Sequence, residues 1–323
     1  MIGLDERRRF FAEELEAVVK LRSAALVDAF AAVPREQFLR PGPWIVLSDS
    51  PDSFMMGTAS VRTRATPDAD PARVYHNIAV AIDPDRQLFN GQPGTLGVWI
   101  DMLDLAKGAR VLHVGAGLGY YSAVIAECVG PTGRVVAYEV DEELAGEAWH
   151  NLASRSWVDV RHGDASQSIG GPFDAILVNA GVTHPLDAWL DALASGGRMM
   201  LPLTATMPAM GSTLGKGLVV LVTRERVRLK PDTTDEGVSG DEDVTPGEGV
   251  TMPADAGFSA RVVTVVAVYS AVAIRDPEMN DRVGKALMGG PQKWQAVKRL
   301  RRDAHEPSDG CWLHGPACCF STT

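Results

Sequence analysis

Three glycines, Gly115, Gly117 and Gly119, follow the apolar run Val111-Leu112-His113-Val114. A second apolar run, Val135-Val136-Ala137-Tyr138, ends in the lone carboxylate of Glu139. Glycines after a strand let the backbone turn tightly and approach a ligand closely. A carboxylate ending the next strand is placed to accept hydrogen bonds from a ribose diol. Together they describe a nucleotide-type cofactor lying over the C-terminal ends of parallel strands. A dinucleotide fingerprint needs glycine at the first, third and sixth positions of its turn. Counted from Gly115, the sixth position is the bulky Tyr120, so a nicotinamide oxidoreductase is a distant reading.

The elements around these residues alternate regularly from Gly108. The pattern predicts strand 110–114, helix 119–129, strand 134–139, helix 141–154, strand 158–162, strand 173–178, helix 185–194 and strand 198–203. Strands separated by helices of this length predict a parallel sheet covered on both faces. The runs Lys216 to Thr223 and Val262 to Ser270 are strand-like with no helix between them, so they are expected to pair antiparallel at the sheet edge. Before the sheet, Phe11, Leu15, Val18 and Val19, then Leu26, Phe30 and Val33, recur at helical spacing, and Pro34 ends the second helix. Asp49 to Pro71 reads as a long loop. Helices are expected near Pro277–Met288 and Pro291–Arg302, the second with a solvated basic face at Lys298 to Arg302.

Composition narrows the partners. An apolar content of 46% with 22% charged residues describes a globular chain that can bury a sizeable core. Eight acidic residues between positions 231 and 256 carry most of the net charge of −10 and leave −2 for the rest. The body is nearly neutral, so nucleic acid is not an expected partner. The acidic segment, rich in Gly, Pro, Asp and Thr, is expected to be a mobile hairpin insertion. The polar, charged stretch Asp5 to Arg9 is not that of a signal peptide, and Val262 to Ile274 is shorter than the roughly 20 residues a bilayer needs. No membrane partner and a cytoplasmic location are therefore expected. Four cysteines in a chain of 323 residues do not form a disulfide framework. Cys311-x-x-His314 with Cys318-Cys319 has a zinc-like flavour. Trp312 and Leu313 alternating with polar residues read instead as a strand with free cysteines, and no metal is expected.

The G-x-G-x-G pattern resembles the first motif of class I S-adenosylmethionine-dependent methyltransferases. Three further stretches resemble the protein-L-isoaspartate O-methyltransferase family. Ala32-Val33-Pro34-Arg35-Glu36-Gln37-Phe38-Leu39 is similar to its "VPRxxF" signature, and Gln92-Pro93 to its "SQP" segment. Phe173-Asp174-Ala175-Ile176-Leu177-Val178, followed by Gly196-Gly197-Arg198-Met199-Met200-Leu201-Pro202, resembles "FDAIIV…GGRLVIP". The resemblance spans roughly residues 22 to 223. It implies an α/β, Rossmann-like doubly wound sheet with antiparallel edge strands, an N-terminal helical cap and a C-terminal extension. It also implies methyl transfer from S-adenosyl-L-methionine to a free carboxylate on a protein or peptide, in the service of protein repair. Gly115, Gly117 and Gly119 would form the cofactor turn, Glu139 would hold the ribose hydroxyls, and Asp164 would approach the adenine amino group past Gly163. His113 and Asn179 complete the expected cofactor side. Asn90, Gln92 and Thr95 are the expected substrate-side residues.

The sequence departs from that family at two telling places. The serine of "SQP" is Gly91 here, and the acidic residue of the first motif is His113. A serine at position 91 would either be tolerated and add a hydrogen bond to the substrate carboxylate or, since Asn-Gly is a common positive-φ turn pair, strain the turn. His184, in the loop after the fourth core strand, is expected either to face the substrate or to cap the next helix. The departures leave open a methyltransferase acting on another peptide or a small molecule, and a non-catalytic S-adenosylmethionine-binding module. The expected organisation is a cap and substrate-side segment over 1–90, the cofactor-binding core over 91–223, the acidic hairpin over 224–257, and a sheet-edge strand with an extension over 258–323.

Overall fold

The computed structural model describes residues 3–47, 62–167, 169–206, 214–226, 257–271 and 274–323. Its centre is a ten-stranded sheet. Five parallel strands, β5 (Arg110–Val114), β6 (Arg134–Glu139), β7 (Val158–His162), β8 (Phe173–Val178) and β9 (Leu193–Thr206), stand in the order β9-β8-β5-β6-β7. The chain therefore starts in the middle and winds outward both ways. The crevice between β5 and β8 is the topological switch point, where open α/β sheets bind ligands. Numbering in chain order reserves β1 to β4 for two small hairpins before the sheet, Ile45–Leu47 with Thr63–Ala65 and Ala81–Asp83 with Leu88–Phe89. The first of these is a correction, because Thr63–Ala65 falls in the stretch read as loop. The Asp49-to-Pro71 reading otherwise lies largely outside the described residues.

Helices pack on both faces. The first two, α1 (Leu4–Val19) and α2 (Ala24–Ala32), bury Phe11, Leu15, Leu26 and Phe30 in the same core as the sheet. Val18 does not join them and is 64% exposed. The third helix, α3 (Pro93–Leu103), starts at Gln92-Pro93, where proline suits the first helical position because its missing N–H would have no partner there. Nearly every residue of α4 (Tyr120–Val129) is buried, as befits a helix clamped between the sheet and α2. Helix α5 (Glu142–Asn151) is N-capped by Asp141, whose carboxylate accepts from Leu144 N–H at 3.1 Å.

The antiparallel pair is present, as β10 (Leu214–Arg224) and β11 (Phe258–Tyr269), in register from Leu214↔Tyr269 to Arg224↔Phe258. It is not at the sheet edge. Three strands from the tail, β12 (Arg299–Arg301), β13 (Cys311–His314) and β14 (Cys319–Ser321), extend the sheet beyond β11 in the order β11-β12-β14-β13. The helix expected over 291–302 accordingly stops at Gln295. Pairing of Phe258 with Leu300 and Ser259 with Arg299 draws the following residues into the ladder, and Leu300 enters the core. The basic face read at Lys298 to Arg302 is thus a strand, and Arg302 pairs with Asp187 and Asp191. Helix α6 (Asp187–Ala192) is shorter than expected because β9 begins at Leu193. Helix α7 (Pro277–Met288) matches its expected bounds. The acidic segment 231–256 lies outside the described residues; the strands flanking it pair where a hairpin insertion would enter and leave.

Candidate active site

The glycine turn leaves β5 at the switch point. Gly115, Gly117 and Gly119 all have positive φ, at 81°, 55° and 94°. L-residues rarely adopt that region. A Cβ on Gly115 would lie 3.3 Å from the Asn179 carbonyl oxygen, so the turn passes tightly against the end of β8. Gly119 does not border the cavity described below; it shapes the start of α4, where a Cβ would meet Leu152 at 2.8 Å.

A cavity of about 1100 Å³ opens over this turn. Gly115, Gly117, Glu139, Gly163, Asp164 and Asn179 border it, as do Asn90, Gln92 and Thr95. The Glu139 carboxylate is 8% exposed and accepts from Gly117 N–H at 2.7 Å and Asp141 N–H at 3.1 Å. Each carboxylate oxygen keeps lone pairs for further donors. Asp164 accepts from the Ser166 hydroxyl at 2.6 Å and its N–H at 2.9 Å. Those hydrogen bonds hold the Asp164 carboxyl below the usual range, so it is ionised at neutral pH.

His113 does not join the cofactor side. It is fully buried, with Nδ1 2.8 Å from the Ser122 hydroxyl of α4, and it does not border the cavity. Burial pushes its pKa down to about 4, so the ring is neutral. Period-two alternation along β5 places His113 under α4 and Val114 beside the cavity. His184 follows neither expected course. Its Nδ1 lies 2.9 Å from the Thr183 hydroxyl, it does not border the cavity, and α6 has no side-chain cap.

The part of the cavity wall that carries Asn90 is organised by a residue that the family motif includes without a role. Arg35, in the "VPR" segment, is fully buried. Its guanidinium donates to the carbonyls of Val74 (2.6 Å), His76 (3.1 Å) and Ile78 (2.6 Å), and to Asn90 Oδ1 at 3.3 Å. Asn90 Oδ1 also accepts from Val80 N–H at 3.0 Å. Two donors converge on one atom, which fixes it as the oxygen and leaves Nδ2 as a pure donor. That Nδ2 is buried with no hydrogen-bond partner among the described residues. A buried donor left unpaired costs about 1–3 kcal/mol, which a bound acceptor would recover.

Gln92 is more an arranger than a free donor. Its Nε2 donates to the Asn77 carbonyl at 3.0 Å, while its Oε1 accepts from the Thr95 hydroxyl at 3.4 Å. Asn77, also unpredicted, receives the Gly94 N–H at 2.7 Å and tethers the start of α3. Gly91 has φ of 81°, and a Cβ there would meet Leu96 Cδ2 at 2.9 Å. A serine there would be strained, as the Asn-Gly pair predicts. Tyr121 donates to the Gly91 carbonyl at 3.1 Å and holds the turn from below. The remaining wall is β11, where Thr264 and Val265 border the cavity and Val265 is 46% exposed. The run Val262 to Ser270 reads as buried strand, and nothing in the sequence marks this partly open face.

Sheet order, glycine turn at the switch point and the carboxylate ending β6 define the class I methyltransferase fold. Comparison with known proteins narrows the class. The profile of the Protein-L-isoaspartate(D-aspartate) O-methyltransferase family matches residues 55–216. Protein-L-isoaspartate O-methyltransferase of Aeropyrum pernix is 32% identical over 203 residues, covering 61% of this chain and 67% of that one. Protein-L-isoaspartate O-methyltransferase 1 of Archaeoglobus fulgidus is 31% identical over 209 residues, covering 64% and 83%. A solved protein-L-isoaspartate O-methyltransferase superposes with a TM-score of 0.55 at 20% identity, over 90% of this chain and 72% of its own. The chain belongs to the protein-L-isoaspartate(D-aspartate) O-methyltransferase family. No helix among the described residues is long and apolar enough to cross a membrane.

Proposed function

We propose that this chain transfers a methyl group from S-adenosyl-L-methionine to the free carboxylate of an isoaspartyl residue in a protein or peptide. The observation that carries the reading is the Asn90 amide, pinned by Arg35 and Val80 with its donor unspent, in the same cavity as the glycine turn. The residues present fit the cofactor. Gly115 and Gly117 leave a cradle a side chain would obstruct, Glu139 suits the ribose diol, and Gly163, Asp164 and Asn179 border the adjoining space. When bound, S-adenosylmethionine supplies a methyl group already activated on a positively charged sulfur.

The protein's own task is then modest. An acceptor carboxylate is ionised at neutral pH, so no residue need remove a proton. Asn90 Nδ2 and the N-terminal end of α3 offer neutral donors that favour an anion there. Apart from Arg86, which is spent on Asp141 at 2.6 Å, the cavity residues between 77 and 98 are uncharged. They orient one carboxylate oxygen and displace water from it.

The test is transfer of labelled methyl to an isoaspartyl peptide against its aspartyl counterpart. Turnover on the first alone is expected. Asn90→Asp keeps the acceptor for Arg35 and Val80 but faces an anion with an anion. It should lower kcat/KM at least tenfold, the about 1.5–3 kcal/mol of a charged hydrogen bond, with cofactor affinity unchanged. Gly91 in place of the family's serine favours one second reading, methylation of a different peptide carboxylate; labelling of a cell-extract peptide fraction but not of the isoaspartyl peptide would select it.

A further inference from the structure

The tail brings together four side chains that the sequence reading left without a ligand. His305, Cys311, His314 and Cys319 each offer one ligand atom, and these atoms all lie within 4.8 Å of one another. Cys311 Sγ is already 3.4 Å from His305 Nε2. A tetrahedral zinc ion with bonds of about 2.0–2.3 Å sets its ligand atoms about 3.3–3.8 Å apart. Closing the group needs a shift of about 1 Å at its widest pair, within the reach of side-chain torsions.

The backbone explains why these residues meet. Cys311 and His314 are an odd number of positions apart on β13, and strict alternation would send them to opposite faces. The ladder with β14 slips between Cys311 and Leu313, leaving Trp312 as the extra residue. That bulge returns Cys311 and His314 to one face and lets Trp312 and Leu313 both enter the core. Cys319 lies opposite His314 across the β13–β14 ladder, whereas its neighbour Cys318 points into the apolar core. His305 arrives from the loop between β12 and β13.

The surroundings prepare ligation. His305 Nδ1 is 2.8 Å from the Asp303 carbonyl, which fixes that nitrogen as the donor and presents Nε2 as the free lone pair. Zinc-bound histidines are held in this way. His314 Nδ1 is buried with no hydrogen-bond partner among the described residues, an unpaired polar atom inside the cluster's own ring pair. None of the four residues borders the large cavity.

We propose that His305, Cys311, His314 and Cys319 form a structural zinc site that ties the loop after β12 to the terminal hairpin and seals the outer edge of the sheet. Two thiols and two imidazoles complete a tetrahedron and leave no open position, which is the pattern of a structural rather than a catalytic site. On binding, both thiol protons pass to solvent, the imidazoles bind neutral, and two thiolates balance the dication. The site is independent of the methyl-transfer reading.

The experiment is metal analysis of the full chain, prepared without a polyhistidine tag and under reducing conditions. Roughly one zinc per chain is expected, as a single closed four-ligand site requires. The Cys311→Ser/Cys319→Ser double variant should lose it, and Cys128→Ala, remote from the cluster, should keep it. Replacement by cobalt(II) should give the intense visible bands of a tetrahedral thiolate site in the wild type and not in the double variant. If that variant folds poorly, His305→Gln serves instead, because its side chain lies in a loop; its zinc should exchange faster with a chelator. A wild-type chain that takes up neither zinc nor cobalt overturns the proposal. So does zinc retained by the double variant, or a Cys311–Cys319 disulfide found by mass spectrometry in the freshly isolated reduced preparation.

Discussion

At the scale of single residues, the site rests on a few polar atoms whose partners are counted. Glu139 braces the glycine turn through Gly117 N–H and borders the cavity. Glu139→Ala should weaken S-adenosylmethionine binding at least tenfold, from loss of about 1.5–3 kcal/mol of charge-assisted hydrogen bonding. Titration calorimetry with unchanged affinity would remove Glu139 from the site. His113 makes a prediction about pH. Its folded pKa is about 4 against 6.5 for the free side chain. Below pH 6.5 the unfolded chain takes up a proton that the folded chain refuses, so stability falls as pH drops from 6.5 towards 4 and is unaffected by this group above 6.5. The loss is on the order of 3 kcal/mol across that window. In His113→Gln, urea midpoints measured over the same range should show a shallower decline than in the wild type. An equally steep decline would assign the acid sensitivity to other groups.

At the scale of elements, one carboxylate ties the α1–α2 junction to α3, beside the apolar packing those helices share. Asp101, 7% exposed, accepts from Arg22 N–H at 3.1 Å, Arg22 Nε at 2.8 Å and Ser23 N–H at 2.9 Å. Ser23 in turn N-caps α2. Asp101→Ala leaves two backbone donors unpaired at the α1–α2 junction. The Arg22 guanidinium is largely exposed and regains water, so the cost is set by those amides, about 1–3 kcal/mol. A thermal midpoint within a degree of the wild type would show that apolar packing alone fixes the cap. The core strands β5, β6 and β8 were legible because each is a short apolar run bounded by turn residues, and a helical pattern follows β5 and β6. Residues 299–301 were not, because their local pattern is a basic continuation of a helix and their strand state comes from pairing with Phe258 and Ser259.

At the scale of the whole molecule, the strands on either side of the acidic segment are paired with each other. The ladder β10–β11 runs to Arg224↔Phe258, and Glu225 N–H donates to the Gly257 carbonyl at 2.8 Å. Glu225 and Gly257 are therefore adjacent, and residues 226–230 remain to form the turn. Deleting residues 231 to 256 and closing with a short turn should leave the thermal midpoint nearly unchanged, since the closure entropy differs by about 1 kcal/mol or less. A midpoint lowered by tens of degrees would mean that the segment packs on the body. The same deletion should bring the net charge from −10 to −2, which native electrophoresis reads directly.

The sequence by itself determined the class of sheet, the glycine turn, the carboxylate at the end of β6 and the positive φ of Gly91. Each of these follows from local patterning or from a conformation that only certain residues tolerate. The tertiary structure decided what local patterning cannot encode. It buried Arg35 and spent it on orienting Asn90, and it hid His113 beneath α4. It opened one face of β11 to the cavity, continued the sheet through the tail, and used one bulge in β13 to gather two histidines and two cysteines. All of these depend on which segments become neighbours across the fold, and that is settled by pairing and burial between residues far apart in the chain.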